Sequence, residues 1–398
     1  MNEGEITVKK KKKICIVTGT RAEYGLFYPL LKKIKADGQF GLQLCVTGMH
    51  LSPEFGLTYK EIEKDGFKIN EKVEMLLSSD TEVGVTKSIG IGIIGFADAL
   101  HRIKPDLVIL LGDRFETMAA AIAAFTAKIP IAHLYGGELT EGAIDDAIRH
   151  SITKMSILHF VSTEIYGKRI VQLGEEPDRV FNVGALGIDN IKNLTLLTKQ
   201  QLEKELNFKF GKRNVLVTFH PVTLENYTSE SQFRELLSAL DHFKDLKIIF
   251  TKPNADPNDR ILIKLIDEYV KRNSDKAAAF VSLGQLKYLS TINYVDAVVG
   301  NSSSGIIEVP SLGKPTVNIG DRQKGRIRAD SVIDCSPKKE SIIRALRKAF
   351  QPDFSKLCKE VDNPYGDGNS AEKILTVLKE KTDKIKLKKT FYDLKVKI

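Results

Sequence analysis

Residues 295–308 read VDAVVGNSSSGIIE and join an apolar strand, Val295–Val299, to an apolar helix through a turn of Gly and Ser. Such a turn leaves several backbone N–H groups unpaired at the start of the helix. These donors, the serine hydroxyls and the positive end of the helix dipole suit a phosphate group. Glu308 lies one turn after Ser304, where a carboxylate could accept both hydroxyls of a ribose. A Ser-rich structural cap is the alternative, although a cap needs only one hydroxyl.

Outward from this turn, short β-branched runs alternate with amphipathic stretches along the whole chain. Near-continuous apolar strands separated by helical crossovers indicate parallel sheets that are covered on both faces. Because 398 residues exceed the length at which one core usually keeps growing, we expect two domains. The prediction is an α/β fold with two doubly wound, Rossmann-like domains. The first spans 1–187, the second binds nucleotide and spans 188–370, and a helix at about 371–390 crosses back to the first.

The polar motifs follow predicted strands, where ligands bind in parallel sheets. The predicted strands are 14–18, 42–47, 106–111, 131–134, 160–162, 180–183, 215–219, 247–250, 278–281, 297–299 and 316–318. The predicted helices of the first domain include 24–36, 116–127, 144–158 and 165–173.

Charge, cysteines and apolar runs argue against several classes of protein. Residues 1–13 hold five Lys and two Glu, and residues 381–398 hold seven Lys and two Asp, so these tails supply +8 of the net charge of +9. A nearly neutral body does not suit a nucleic-acid partner.

The four cysteines form no CxxC or Cys/His cluster, which predicts reduced thiols in a cytoplasmic protein. We found no apolar stretch approaching the ~20 residues of a membrane span, so no membrane partner is predicted.

Three strand ends of the first domain carry candidate site residues. Arg21, in the motif TGTRAEYG at 18–25, suits an anion held by a guanidinium fork, since the GxGxxG spacing is absent. Asp113 directly follows a buried strand, where partial desolvation suits proton transfer unless it only caps the next helix. The third, the predicted strand 131–134, is followed by a Gly-rich turn that carries Glu138.

The helix after Glu138 begins with acids. Asp145 and Arg149 are four residues apart, as are Asp146 and His150, so each pair shares a helix face. One acid could face the cleft while the other braces His150 or Arg149. A helix start enriched in acids to suit the helix dipole is the alternative.

Candidates in the second domain suit a diphosphate. His220 follows a strand beside the phosphate-binding turn and could donate to a diphosphate as it leaves. Asn254 follows the next strand and could contact a base or phosphate. Arg322 could bind phosphate with two donors, although a structural ion pair is an equal alternative.

Taken together, seven motifs resemble the hydrolysing UDP-N-acetylglucosamine 2-epimerases of sialic-acid synthesis. They are TGTRAEY at 18–24, GDR at 112–114, GGE at 136–138, DDAIRHS at 145–151, HP at 220–221, GNSSSG at 300–305 and NIGDRQKGR at 318–326. The resemblance implies two domains that face a central cleft in the GT-B arrangement, UDP held mainly by the second domain, and chemistry without metal or cofactor. It also implies a homodimer or homotetramer.

By position, the resemblance assigns nucleotide contacts and catalytic acids. The nucleotide-binding candidates are Arg21, Arg114, His220, Asn254, Ser302, Ser303, Glu308 and Arg322. Asp113 and Asp145 match acids implicated in catalysis, and together with Glu138 and His220 they are the catalytic candidates. Tyr135 stands where many relatives carry Glu, so Glu138 is expected to substitute, or the other acids suffice.

The expected reaction converts UDP-GlcNAc and water into N-acetylmannosamine and UDP, through elimination to a glycal and addition of water. Three alternatives stay open. Related enzymes act on UDP- or GDP-linked 2,4-diacetamido-trideoxyhexoses; a glycosyl transfer or a UDP-retaining epimerisation is a second possibility. A nucleotide-sugar binding protein without turnover is the third, although carboxylates near a diphosphate do not favour binding alone.

Overall fold

The computed structural model describes residues 10–77, 81–139, 144–221, 229–253 and 259–395. The strands are β1 (Lys12–Thr18), β2 (Phe40–Thr47), β3 (Glu71–Val73), β4 (Leu107–Leu111), β5 (Ile131–Leu134), β6 (Leu158–Val161), β7 (Val180–Asn182), β8 (Arg213–Thr218), β9 (Leu246–Thr251), β10 (Ala277–Phe280), β11 (Ala297–Gly300), β12 (Thr316–Ile319) and β13 (Val332–Cys335). The α-helices are α1 (Arg21–Ala36), α2 (Tyr59–Lys64), α3 (Glu82–Ile103), α4 (Phe115–Thr126), α5 (Asp145–Met155), α6 (Glu164–Gln172), α7 (Leu186–Asn193), α8 (Lys199–Leu206), α9 (Ser229–Leu240), α10 (Asp259–Arg272), α11 (Gly284–Tyr294), α12 (Ser303–Ile307), α13 (Lys339–Ala349), α14 (Pro352–Glu360) and α15 (Ser370–Lys381).

Backbone contacts divide the chain into two compact units. Unit 1 comprises 1–137, 147–186 and 369–398, and unit 2 comprises 138–146 and 187–368. The segment 138–146, which was predicted to belong to the first domain, therefore groups with unit 2. This matters for the site, because the segment carries Glu138 and Asp145.

Unit 1 is built on a seven-stranded parallel sheet in the order β3-β2-β1-β4-β5-β6-β7. Side chains alternate across it, so that Ile14 and Ile16 face the core formed with α1 and α15, while Cys15 and Val17 face the core formed with α3 and α4. The strand order reverses between β1 and β4, which is where ligands bind in open α/β sheets.

Unit 2 repeats this plan with a six-stranded parallel sheet in the order β10-β9-β8-β11-β12-β13. Val215 and Val217 face the core shared with α9, α10 and α13, and Leu216 faces the core shared with α8 and α11. Its strand order reverses between β8 and β11. The predicted fold class of two Rossmann-like domains is confirmed.

Several predicted boundaries were wrong. The predicted helix 144–158 ends at Met155 and the predicted strand 160–162 begins at Leu158. The N–H of Ile157 already donates to Ile131 O in the sheet, so the chain leaves the helix although its apolar pattern continues. Strands β3 and β13 and helix α3 were not predicted as elements.

Helix α3 contradicts the prediction that the chain has no apolar stretch of about the length of a membrane span. By length and composition alone, this 22-residue helix is long and apolar enough to cross a membrane. Its most apolar 18-residue segment has a mean hydropathy of 1.5, and 33% of that segment is buried within the protein. Its buried residues recur about every fourth position and pack on unit 1. A Cβ at Gly92 would lie 3.0 Å from Ala119 Cβ, so this helix packs closely on α4.

Candidate active site

Strands β8 and β11 end side by side in unit 2, and the turn after β11 requires glycine. Gly300 is paired with Thr218 and has a φ of 135°, a left-handed conformation that side chains disfavour. A Cβ at Gly300 would lie 1.9 Å from the Thr218 carbonyl oxygen. The glycine therefore lets the two strand ends approach each other at the switch point of the sheet.

Asn301 ties the loops at this switch point together. The His220 N–H donates to Asn301 Oδ1 at 2.7 Å, and Asn301 Nδ2 donates to His220 O at 2.8 Å. The Asn301 carbonyl accepts from Arg322 Nη1 at 3.0 Å and from Gln323 Nε2 at 2.9 Å. His220, Ser302 and Arg322, which lie far apart in sequence, are thereby brought together around one buried amide.

The serine turn differs in part from the prediction. Ser302 caps α12, its Oγ accepting from the Ser304 N–H, but the helix has only five residues. Pro310 lies just beyond it in a short 3-10 helix, Val309–Leu312. A five-residue helix has a small dipole, so hydroxyls and turn N–H groups make up most of any anion site here.

Glu308 lies next to this turn, and its N–H donates to Ser304 O at 2.9 Å. Although part of the residue is accessible to solvent, the surrounding protein desolvates the carboxyl and raises its pKa, and the Ser304 hydroxyl opposes the shift. Ser304 Oγ is buried and lies close enough to the Glu308 carboxyl and the Tyr288 hydroxyl to affect their pKa values, but it forms no hydrogen bond of good geometry within the residues described. The carboxyl and the hydroxyl are available to a polar ligand.

His220 is a neutral imidazole near neutral pH. Burial lowers its pKa to about 3, and the positive charge of Arg322 adds to that effect. A neutral imidazole can donate one hydrogen bond without carrying charge. Arg322 supplies the positive charge at this side of the site.

In unit 1, Asp113 follows β4 through Gly112, whose φ is 74°. Asp113 forms an ion pair with the buried side chain of Arg149 from α5. The His133 Nε2–H donates to the Gly112 carbonyl at 2.8 Å, because a carbonyl oxygen can only accept. This hydrogen bond supports the turn that carries Asp113. His133 Nδ1 then accepts from the Thr153 hydroxyl at 3.1 Å. Arg149 therefore holds the Asp113 carboxylate, and His133 holds the backbone that precedes it.

Arg114 and Arg21 differ in their surroundings. Arg114 donates from Nε and Nη2 to the buried carboxylate of Glu116, at 3.1 and 3.0 Å. Burial raises the pKa of the neighbouring Glu23 to about 7, Arg114 opposes this and Glu116 reinforces it. Arg21 is exposed, with Nη1 3.9 Å from Glu61 Oε1. Arg114 is held mainly as part of an acid cluster, whereas Arg21 is accessible.

The remaining candidates lie after β5 or outside the described residues. Glu138 forms a nearly buried ion pair with Arg326 in unit 2, at 2.9 Å. Tyr135 has a φ of 65°, an unfavourable conformation for an aromatic residue and one found at functional sites. Asp145 is the half-buried first residue of α5. The prediction for Asn254 lies outside the described residues.

Comparison with known proteins identifies the family. The model of the family described as UDP-N-acetylglucosamine 2-epimerase matches residues 32–379. The chain belongs to this family. The GDP/UDP-N,N'-diacetylbacillosamine 2-epimerase (hydrolyzing) of Campylobacter jejuni is 49% identical over 88% of this chain and 89% of its own length. The polysialic acid biosynthesis protein P7 of Escherichia coli is 41% identical over 96% of this chain and 98% of its own length.

A solved structure agrees with this assignment at the level of the fold. The crystal structure of the UDP-GlcNAc 2-epimerase from Neisseria meningitidis, bound to UDP-GlcNAc, has a TM-score of 0.78 and 19% identity, and the match covers 92% of this chain and all of that one. The predicted resemblance and the predicted enzyme class, a hydrolysing nucleotide-sugar 2-epimerase, are confirmed.

In this epimerase, four further residues lie beside the predicted site residues. They are Asn301 beside His220, Arg149 beside Asp113, Arg326 beside Glu138, and Tyr288 on α11. Burial raises the pKa of the Tyr288 hydroxyl, as does Glu308, while Ser304 and Thr218 oppose the shift, so this hydroxyl lies beside the serine turn. Asn301, Arg149 and Arg326 occur inside recognised motifs, but the spacing indicated no partner for Asn301 or Arg326. It placed Arg149 beside Asp145, whereas the structure pairs Arg149 with Asp113.

Proposed function

We propose that this epimerase cleaves a nucleotide-linked 2-acetamido sugar and inverts carbon 2, releasing the nucleoside diphosphate and the free 2-epimer. The observation that carries the proposal is the arrangement around Asn301, which holds a neutral His220 and the Arg322 guanidinium and directly precedes the Ser302 hydroxyl. Two uncharged donors and one cation suit a diphosphate, which gains negative charge as it leaves.

The reaction has two steps. The bond from carbon 1 to the diphosphate oxygen breaks and its electron pair leaves with the diphosphate, while a carboxylate takes the proton from carbon 2, leaving a glycal. Water then adds its oxygen to carbon 1, and a proton returns to carbon 2 on the other face. We propose Asp113, Glu138 and Asp145 for these proton transfers and His220 as the donor to the departing diphosphate. A positioned acid or base contributes roughly 10²–10⁴-fold.

We propose a UDP- or GDP-linked 2,4-diacetamido-trideoxyhexose as the substrate. The 49% identity to the diacetylbacillosamine 2-epimerase supports it. UDP-GlcNAc is the second candidate, supported by the 41% identity to a polysialic acid biosynthesis protein. The nucleotide contacts are proposed as Arg21, Arg114, His220, Asn254, Ser302, Ser303, Glu308 and Arg322.

Mass spectrometry of the products tests both parts of the proposal. The enzyme is incubated in deuterated water with UDP-GlcNAc and with UDP- and GDP-linked diacetamido sugars, without an acceptor. We expect free sugar with deuterium at carbon 2, formed fastest from a diacetamido substrate. Unlabelled sugar would exclude the elimination, a sugar that keeps its nucleotide would indicate simple epimerisation, and intact ligand after long incubation would indicate a binding protein. Faster turnover of UDP-GlcNAc would overturn the substrate assignment alone.

A further inference from the structure

Gly187 and Glu308 are in close contact within unit 2. A Cβ built on Gly187 would lie 2.6 Å from Glu308 Oε1, 3.2 Å from its Cγ and 3.3 Å from its Cδ. These are the three nearest atoms to that position, and all belong to one flexible side chain. The space that a side chain at 187 would fill is therefore the space that the Glu308 carboxylate occupies.

Helical propensity gives no reason for glycine at this position. Gly187 is buried in the first turn of α7, and it is not among the glycines with positive φ. Inside a helix, alanine is favoured over glycine by about 1 kcal/mol. The backbone does not require glycine here, whereas the Glu308 carboxylate occupies the position of its missing Cβ.

The carboxylate that Gly187 accommodates is one that could bind a ligand. Within the described residues Glu308 forms no ion pair, and its polar neighbours are the hydroxyls of Ser304 and Tyr288. A carboxylate has two oxygens and can accept one hydrogen bond on each from a vicinal diol. The ribose of a nucleotide presents such a diol at its 2′ and 3′ positions.

We propose that Gly187 is a positioning residue for Glu308 and that its missing side chain sets the selectivity of the site for nucleotides with free 2′ and 3′ hydroxyls. The proposal rests on the proposed function, since it needs a nucleotide in unit 2. Adding a methyl group at 187 displaces the end of a flexible side chain and no backbone. The fold therefore tolerates Gly187→Ala, and the ribose contact does not.

Calorimetric titration with UDP and with 2′,3′-dideoxy-UDP, and with the matching GDP pair, tests this. We expect the wild type to prefer the ribonucleotide by roughly 10-fold or more, since hydrogen bonds to a charged group are strong. G187A loses that preference, with weaker UDP binding and dideoxy-UDP binding unchanged within about twofold. Gly90→Ala is the control, because it changes a helical glycine with nothing within 4 Å of its Cβ position.

The double variant G187A/E308D distinguishes a steric clash between residues 187 and 308 from a general loss of stability or binding. Asp is one methylene shorter, so Gly187→Ala is expected to be neutral in the E308D background, in binding and in thermal unfolding. If G187A alone does not fold and the double variant does, the rescue supports the clash. Equal weakening of both nucleotides, or no weakening, would overturn the proposal. If the wild type turns over its substrate but binds UDP and dideoxy-UDP equally well, this proposal alone is overturned. If the wild type neither binds nucleotides nor turns over a nucleotide sugar, the proposed function is overturned.

Discussion

Asn301 and His220 exchange two hydrogen bonds, in which the side-chain amide of Asn301 pairs with both backbone groups of His220, at 2.7 and 2.8 Å. The amide thus forms with His220, just beyond β8, the two hydrogen bonds that a neighbouring strand would form. Because the Asn301 carbonyl also holds Arg322, the position of the imidazole and that of the guanidinium are coupled. The geometry of the proposed diphosphate site depends on a residue that need not touch the ligand.

Asn301→Ala is expected to weaken UDP binding by about 10-fold and to lower the free energy of unfolding by roughly 1–3 kcal/mol, because two partly buried backbone groups lose their partner. Asn214→Ala is a matched control, since Asn214 pairs in the same way with both backbone groups of Gly211 at the start of β8. It is expected to destabilise similarly and to leave UDP binding unchanged. Equal loss of binding in both variants would contradict the role of Asn301.

Asp113→Asn is expected to reduce turnover by at least roughly 10²-fold and to leave UDP binding unchanged, because it removes a proposed proton carrier. Asp106→Asn is the control, since Asp106 precedes the same strand and accepts from the Lys13 N–H. Steady-state rates and calorimetric titration measure the two effects. Near-normal turnover of the Asp113 variant would remove this residue from the mechanism.

His133 predicts a pH dependence of stability. Burial lowers its pKa from 6.5 to about 3, although the bond to the Gly112 carbonyl opposes this. The unfolded chain takes up the proton first, so the stabilisation is complete above the unfolded pKa and is lost as the pH falls toward about 3. The stability advantage over His133→Gln is expected to shrink by up to about 1.4 kcal/mol per pH unit below pH 6.5 in urea unfolding. A constant difference would show that the imidazole does not titrate as inferred.

Lys389→Met is expected to lower the free energy of unfolding by roughly 1–3 kcal/mol, because it removes a partner from a buried charge. Lys389 Nζ lies 2.8 Å from both oxygens of Glu175, a carboxylate with no accessible surface. Burial raises the pKa of Glu175, but hydrogen bonds with His159, Lys154 and Lys389 outweigh it and lower the pKa to about 2.

Lys388→Met is the control for this contact, since Lys388 is exposed next to it. Changes at such surface positions usually stay within about 0.5 kcal/mol. Urea unfolding of both variants decides the point, and similar stability of the two would contradict a structural role for the Lys389 ion pair.

Most strands were predictable because parallel strands buried on both faces are continuous apolar runs, as in β5, which was predicted as 131–134. The pattern failed where it was ambiguous. The short strand β3 reads Glu-Lys-Val and carries no apolar run. At Leu158 the apolar spacing continued although the backbone had already entered the sheet, and local periodicity does not report hydrogen bonds to a distant strand.

Strand and helix alternation, the family and the polar residues at strand ends could be inferred from the chain alone, because they follow from local patterns of apolarity and from motifs that lie within a few residues. The contacts between distant groups depend on the folded arrangement. Asn301 with His220, Asp113 with Arg149, and Gly187 with Glu308 are separated by 36 or more positions. Such contacts arise when adjacent strands and helices bring distant loops together, and no local pattern records that geometry.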